Sequence, residues 1–187
     1  MRNRLTVLLA LGIAVPALAQ VEGEVEDGMG IGHAGTNEIG GSARFIFESA
    51  DVGGGSASGY LLLLNPAYGR FLTDHFLLRF GLVVGAGGGD LFSGSNFGFQ
   101  VEPLFVGPAG NLFFYAGGLA GFRIVAPDQG DNWSTVEFGA QGGLLVPLNA
   151  WVALDVGMHI EYAITDTDPS QKELIVPIGL IGVRAYF

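Results

Sequence analysis

At 187 residues, with a formal charge of −10, no cysteine and 49% apolar side chains, the chain has the length of one domain and an acidic, hydrophobic character. The charge argues against a nucleic-acid partner, because phosphate backbones are met by basic patches, and the missing cysteines exclude disulfides and thiolate metal sites. A mean hydropathy of +0.45 suits an integral membrane protein. Yet past the N-terminus every long apolar window is broken by Gly, Pro or a charge, as in Phe76-Leu-Leu-Arg79 and Trp151-Val-Ala-Leu-Asp155. No such run is long enough to span as a helix. The other structure a bilayer admits is a closed barrel, in which every backbone polar group is paired.

In chain order, residues 1–19 come first: basic Met1–Arg4, apolar Leu5–Val15 and the small-x-small Ala17-Leu18-Ala19, the pattern of a cleaved secretory signal. Residues 20–35, with Glu22, Glu24, Glu26 and Asp27, read as a short acidic periplasmic segment without stable structure. Residues 36–187 divide into eight segments of period two, separated by Gly, Asn, Asp and Pro clusters, which predicts an all-β, eight-stranded antiparallel up-and-down transmembrane barrel.

The first strand sets Ile39, Ala43, Phe45 and Phe47 against Glu38, Ser42, Arg44 and Glu48; the second, Ser56 to Phe71, is ambiguous because Tyr60 to Leu64 is apolar on both faces. The third opposes Phe76, Leu78, Phe80, Leu82 and Val84 to Arg79 and Gly81, and the fourth Phe97, Phe99 and Val101 to Asn96, Gln100 and Glu102. In the fifth, Phe114, Ala116, Ala120, Phe122 and Ile124 oppose Tyr115, Gly117 and Arg123; in the sixth, Val136, Phe138, Ala140 and Leu144 oppose Glu137, Gly139 and Gln141. The seventh is the clearest, Val152 through Tyr162 alternating with Ala153, Asp155, Gly157, His159 and Glu161. The last carries Pro177, Gly179, Ile181, Val183, Ala185 and Phe187 on one face and Arg184 on the other. Val183, Ala185 and terminal Phe187 resemble the signal by which the barrel-assembly machinery recognises its clients.

Short connections are expected at Thr73–His75, Pro108–Asn111 and Leu148–Asn149, and longer outer ones at Ser49–Gly55, Gly87–Ser93, Ala126–Trp133 and Ala163–Lys172, with both termini periplasmic. Pro66, Pro103, Pro147 and Pro177 predict bulges or strand ends, since proline removes a ladder donor. The Gly-rich runs 53–55 and 87–89 lack the strand-then-helix context of a phosphate loop and read as flexible turns. Trp133 and Tyr162 at one end, and Phe71, Phe113, Trp151 and Phe187 at the other, are placed as interfacial girdles.

Three stretches resemble the small eight-stranded outer-membrane barrels of the OmpA/OmpX type, the outer membrane protein β-barrel domain group. They are Gly35-Thr-Asn-Glu38-Ile-Gly-Gly-Ser42, Leu64-Asn-Pro66-Ala-Tyr68-Gly-Arg-Phe71-Leu-Thr-Asp74 and Trp151-Val-Ala-Leu154-Asp155. The resemblance covers Gly35 to Phe187. It implies a monomeric barrel in the outer membrane, in contact with its lipid and lipopolysaccharide, and is nearly silent on activity.

The expected chemistry lies on the inward face: Glu38, Arg44, Glu48, Arg79, Glu102, Arg123, Glu137, Asp155, His159, Glu161 and Arg184, an ion-pair network plugging a lumen that eight strands leave just wide enough for side chains. No catalytic, cofactor or metal site is expected. The role this favours is structural or surface interaction. The alternatives are a narrow porin-like channel, a soluble periplasmic lipocalin-like barrel with its faces reversed, and a lipid A-modifying enzyme. The enzyme would use His159 near the outer end, with Ser134 or Ser170 approaching as nucleophile. His33 and His75 lack metal-ligand spacing, and Asp51, Asp90, Asp128, Asp131, Asp166 and Asp168 read as hydrated loop acids.

Overall fold

The computed structural model describes residues 30–52, 55–90, 93–166, 171–175 and 178–187. The proposed signal, most of the acidic segment and Pro177 lie outside these residues. Strands β1 (Asn37–Val52), β2 (Gly55–Thr73), β3 (Phe76–Gly89), β4 (Gly94–Ala109), β5 (Leu112–Pro127), β6 (Trp133–Pro147) and β7 (Val152–Thr165) form an antiparallel meander. β8 (Gln171–Ile175) and β9 (Ile178–Tyr186) share the eighth stave: both pair with β7, and β9 pairs back onto β1 through Glu38↔Tyr186 to Ala43↔Ile181. With β6 also joined to β7, the ring closes. Closure removes the sheet edges in the base half of the ring; toward the rim, among the described residues, β8 pairs with β7 alone and β1 beyond Ala43 pairs with β2 alone.

The period-two pattern decides which face turns in. β3 alternates buried Leu77, Arg79, Gly81, Val83 and Gly85 with exposed Phe80, Leu82, Val84 and Ala86. In the ambiguous second strand, Tyr60, Leu62, Leu64 and Tyr68 turn out and Leu63, Ala67 and Phe71 turn in. Charges therefore lie inside and large apolar side chains outside, the reverse of a soluble ligand-binding barrel.

We call the end holding Asn37, Phe187 and the turns at 74–75, 110–111 and 148–151 the base, and the other end the rim. Base turns are tight for local reasons: Gly110 takes a φ of 67°, a left-handed conformation open to glycine at no steric cost, and Asn149 Oδ1 accepts the Trp151 and Val152 amides at 2.8 and 2.9 Å. At the rim the expected long connections are in part strand. β1 and β2 pair as far as Val52↔Gly55, and residues 87–89 pair with 59–61 as the end of β3 rather than forming a free turn. Small residues there show no hydropathy contrast, so a ribbon looks like a loop in the sequence.

Prolines also behave differently from expectation. The β2–β3 register is unchanged from Leu64↔Val84 to Ala67↔Gly81 across Pro66, and β4–β5 is unchanged across Pro103 from Val101↔Ala120 to Leu104↔Gly117. Each proline costs local pairing without adding a residue to the strand. The register shifts fall at Phe71/Thr73 and Gly157/Met158. Pro147 ends β6 as expected.

Candidate functional site

Inside the barrel the side chains sort into three levels, each set by which inward positions share a height. At the base lies an apolar plug of Ile31, Phe71, Leu77, Leu104, Val106, Tyr115, Leu145, Ala153 and Tyr186, with Phe113 packed against it. Leu77, Leu104 and Leu145 are wholly buried. Phe71 and Phe113 are thus interior residues and not girdle aromatics: Phe71 is 1% exposed and its ring lies 6.4 Å from that of Tyr186. Trp151 and Phe187 remain outside, about half exposed.

The plug includes part of the segment expected to lack structure. Gly35 N donates to Phe71 O at 2.8 Å, Phe71 N to Thr36 O at 2.9 Å and Ala34 N to Asp74 Oδ1 at 3.0 Å. These bonds fold residues 31–36 under the base, with Ile31 buried against the plug.

Above it stands an ion-pair network built from five strands. Arg79 on β3 meets Glu38 on β1 through Nε–Oε1 at 2.6 Å and a second bond from its terminal nitrogen to Oε2 at 3.1 Å, the two-pronged geometry of a strong charged pair. It also binds Glu102 on β4 at 3.1 Å and lies 5.9 Å over the Tyr115 ring. Glu38 pairs with Gly69 on β2, and Gly69 with Arg79 on β3, so a strand intervenes between the two ions. A Cβ on Gly69 would lie 2.9 Å from Leu77 Cδ1 and 3.5 Å from Glu38 Oε1. Its absence clears the path. Arg184 on β9 binds Asp155 on β7 through Nε and a terminal nitrogen at 2.9 and 2.8 Å, and Tyr115 OH donates to the other oxygen of Asp155 at 2.8 Å. The Tyr115 hydroxyl occupies space that Cβ atoms on Gly143 and Gly157 would take.

The third level, toward the rim, joins Arg123 on β5 to Glu137 on β6, while His159 Nε2 stands 2.9 Å from both Arg44 and Glu161. The two networks flank a central cavity with about 30 Å³ open to water centres, lined by Ser42, Asn65, Gln100 and Gln141 together with Arg44, Glu102, Asp155, His159 and Arg184. That space suits one or two internal waters. The Arg44 Nε, Gln141 Nε2 and Arg184 terminal nitrogen that lack a hydrogen-bond partner in the protein are natural donors to them.

The structure thus brings together Glu38, Arg79, Glu102, Asp155 and Arg184 in one group and Arg44, Arg123, Glu137, His159 and Glu161 in another; the side chain of Glu48 lies outside the described residues. His159 sits on the central cavity and not at the outer end. Ser134 is on the opposite face of its strand from inward Thr135 and Glu137, so it does not approach the imidazole, and Ser170 lies outside the described residues. His75 Nδ1 is 3.2 Å from Val106 O at the base. Among the described residues no three His, Asp or Glu side chains form a group able to hold a metal. The apolar plug is what sequence reasoning missed. Its signal was the run of residues apolar on both faces near each base turn, Phe76-Leu-Leu78, Leu104-Phe-Val106 and Leu144-Leu-Val146.

No protein-family model and no curated protein sequence matches the chain. Among solved structures, Neisserial surface protein A (NspA) superposes with a TM-score of 0.59 at 18% identity, over 82% of this chain and 98% of that one. At that identity the likeness is one of fold, and it agrees with the architecture described above: a closed, all-β, eight-stranded antiparallel barrel.

Proposed function

We propose that the chain is an integral outer-membrane protein of the small eight-stranded OmpA/OmpX type, with a structural or surface-interaction role and a lumen closed by its own side chains. The observation that carries this reading is the inverted distribution of polarity. Outward Phe80, Leu82, Phe97, Phe99, Phe138 and Ile160 are each about half exposed, while Glu38, Arg79, Glu137 and Glu161 are at most 2% exposed. Water would penalise the first group and lipid accommodates it. Along β2 the outward row from Tyr68 to Tyr60 carries no charge. From Arg70 to Tyr60, ten steps of about 3.3 Å at a tilt near 40° span roughly 25 Å, the height of the apolar band of such barrels.

Short base turns belong on the periplasmic side in this reading, with both termini, and the four rim hairpins face out. Outward Val183, Ala185 and Phe187 are the stretch the assembly machinery would recognise, and outer-membrane lipid and lipopolysaccharide are the surrounding partners. The barrel acts as a monomer without cofactor or catalytic group. A conducting pore is the second reading, favoured by the polar cavity. The plug of wholly buried leucines below it argues for closure, because ions do not cross a dry apolar section.

Fractionation of expressing cells tests the first statement: the protein should be recovered in the outer membrane and migrate faster unheated than boiled. Planar bilayers test the second, with no sustained conductance expected. Recovery from the periplasm without detergent would overturn the membrane reading, and stable unitary currents would overturn the closed lumen.

A further inference from the structure

Among the described side chains the outer wall of the strands carries little charge, and its charged exceptions are both cations. Among the described strand residues the outward positions hold two charged side chains, Arg70 on β2 near the base and Lys172 on β8 near the rim, both exposed. Every acidic strand residue whose side chain is described faces the lumen. In a chain with 18 acidic and 8 basic residues, two outward cations and no outward anion among the described strand side chains run opposite to composition.

Arg70 pairs across the sheet with Asn37 on one side and Leu78 on the other, in an outward row with Tyr68 and Leu72. Tyr68 OH is committed to Asn37 Oδ1 at 2.8 Å, and Asn37 exchanges backbone hydrogen bonds with Phe187. No carboxylate among the described residues pairs with the Arg70 guanidinium; the ion pairs all lie in the lumen. It stands where the charge-free row of β2 ends, at the depth of lipid headgroups if that row spans the apolar layer. A planar guanidinium offers parallel N–H groups matched to two phosphate oxygens, and at a membrane surface such a contact is not won by water alone.

We infer that Arg70, beside Tyr68 and Asn37, is a binding position for the phosphate of a phospholipid headgroup in the base-side leaflet. This rests on the membrane reading above. Lys172 marks the opposite boundary as a point charge. Arg70 fixes the barrel's depth by holding one lipid against the seam of β1 and β2, beside the paired Phe187 end of the chain.

The test is magic-angle-spinning NMR of protein labelled with ¹³C at the arginine Cζ, inserted in phosphatidylethanolamine and phosphatidylglycerol vesicles in phosphate-free buffer, so that lipid is the sole source of phosphorus. Insertion is checked first by heat modifiability. Wild type should show ³¹P dephasing of an arginine Cζ signal, absent in Arg70→Gln and retained in Lys172→Gln; the lumen arginines are walled off from lipid and give none. An inserted wild-type barrel without dephasing, or dephasing that survives Arg70→Gln, overturns the inference alone. Failure to insert overturns it together with the membrane reading.

Discussion

Arg79 is where single side chains matter most, because it is 1% exposed and joins Glu38 and Glu102 at once. Replacing it with leucine strands Glu38, wholly buried, with Arg184 at 3.9 Å as its remaining cationic contact. Breaking one side of a buried pair typically costs about 3–5 kcal/mol, and urea unfolding of Arg79→Leu from vesicles should show a loss of that size. A loss below about 1 kcal/mol would mean that the network is incidental. Gly157→Ala is the complementary case: its methyl group would collide with the Tyr115 hydroxyl. Rearrangement of the Tyr115–Asp155 bond should then cost about 1–3 kcal/mol, read in the same assay. Alternation alone put these charges together on one face. It could not choose partners, since Arg79 reaches past Gly69 to a strand that is not its neighbour, and only the barrel's curvature brings Glu38 within reach.

Among the elements, the segment before β1 behaves least as composition suggests. Ile31 is 8% exposed and Thr36 5%, in a stretch whose sequence shows no periodicity. Its order comes from tertiary contacts, with Phe71 on β2 and the Asp74 turn, which local sequence does not announce. Ile31→Ala should therefore destabilise the barrel by about 2 kcal/mol, the lower end for a buried aliphatic truncated to alanine, and should speed hydrogen exchange at the Gly35 amide. Unchanged exchange there would separate the segment from the plug. The strand bodies were legible because large apolar and charged residues alternate in them. Their rim ends were less so, for Ser49-Ala-Asp-Val52 and Gly87-Gly-Gly89, read as connections, pair as strand without marked contrast. Pro66 and Pro103 misled for a related reason: in a closed ring the neighbouring pairs hold the register, and a missing donor stays a local defect.

For the whole molecule, sequence supplied two faces but not their sides, because a soluble barrel and a membrane barrel share period two and differ only in which row points in. Closure onto β9 resolves this by enclosing the charged row. A cation placed on the outer wall should then be costly in proportion to depth. Phe99→Arg, in the middle of β4, should destabilise the vesicle-inserted barrel by about 2–4 kcal/mol, whereas Leu72→Arg near the base should cost about 0–1. Equal costs at the two positions would argue against a lipid-facing belt.

The central claim, that the apolar row faces lipid around a closed polar interior, is tested most directly by spin labels. The absence of native cysteine makes single-site labelling clean. With labels at Leu64→Cys, Phe99→Cys and Ile160→Cys in vesicles, the account predicts high accessibility to dissolved oxygen and low accessibility to a water-soluble nickel complex at all three. Nickel access equal to that of a label at rim residue Asp131, on a protein that floats with the vesicles, would show that these side chains face water and contradict the account.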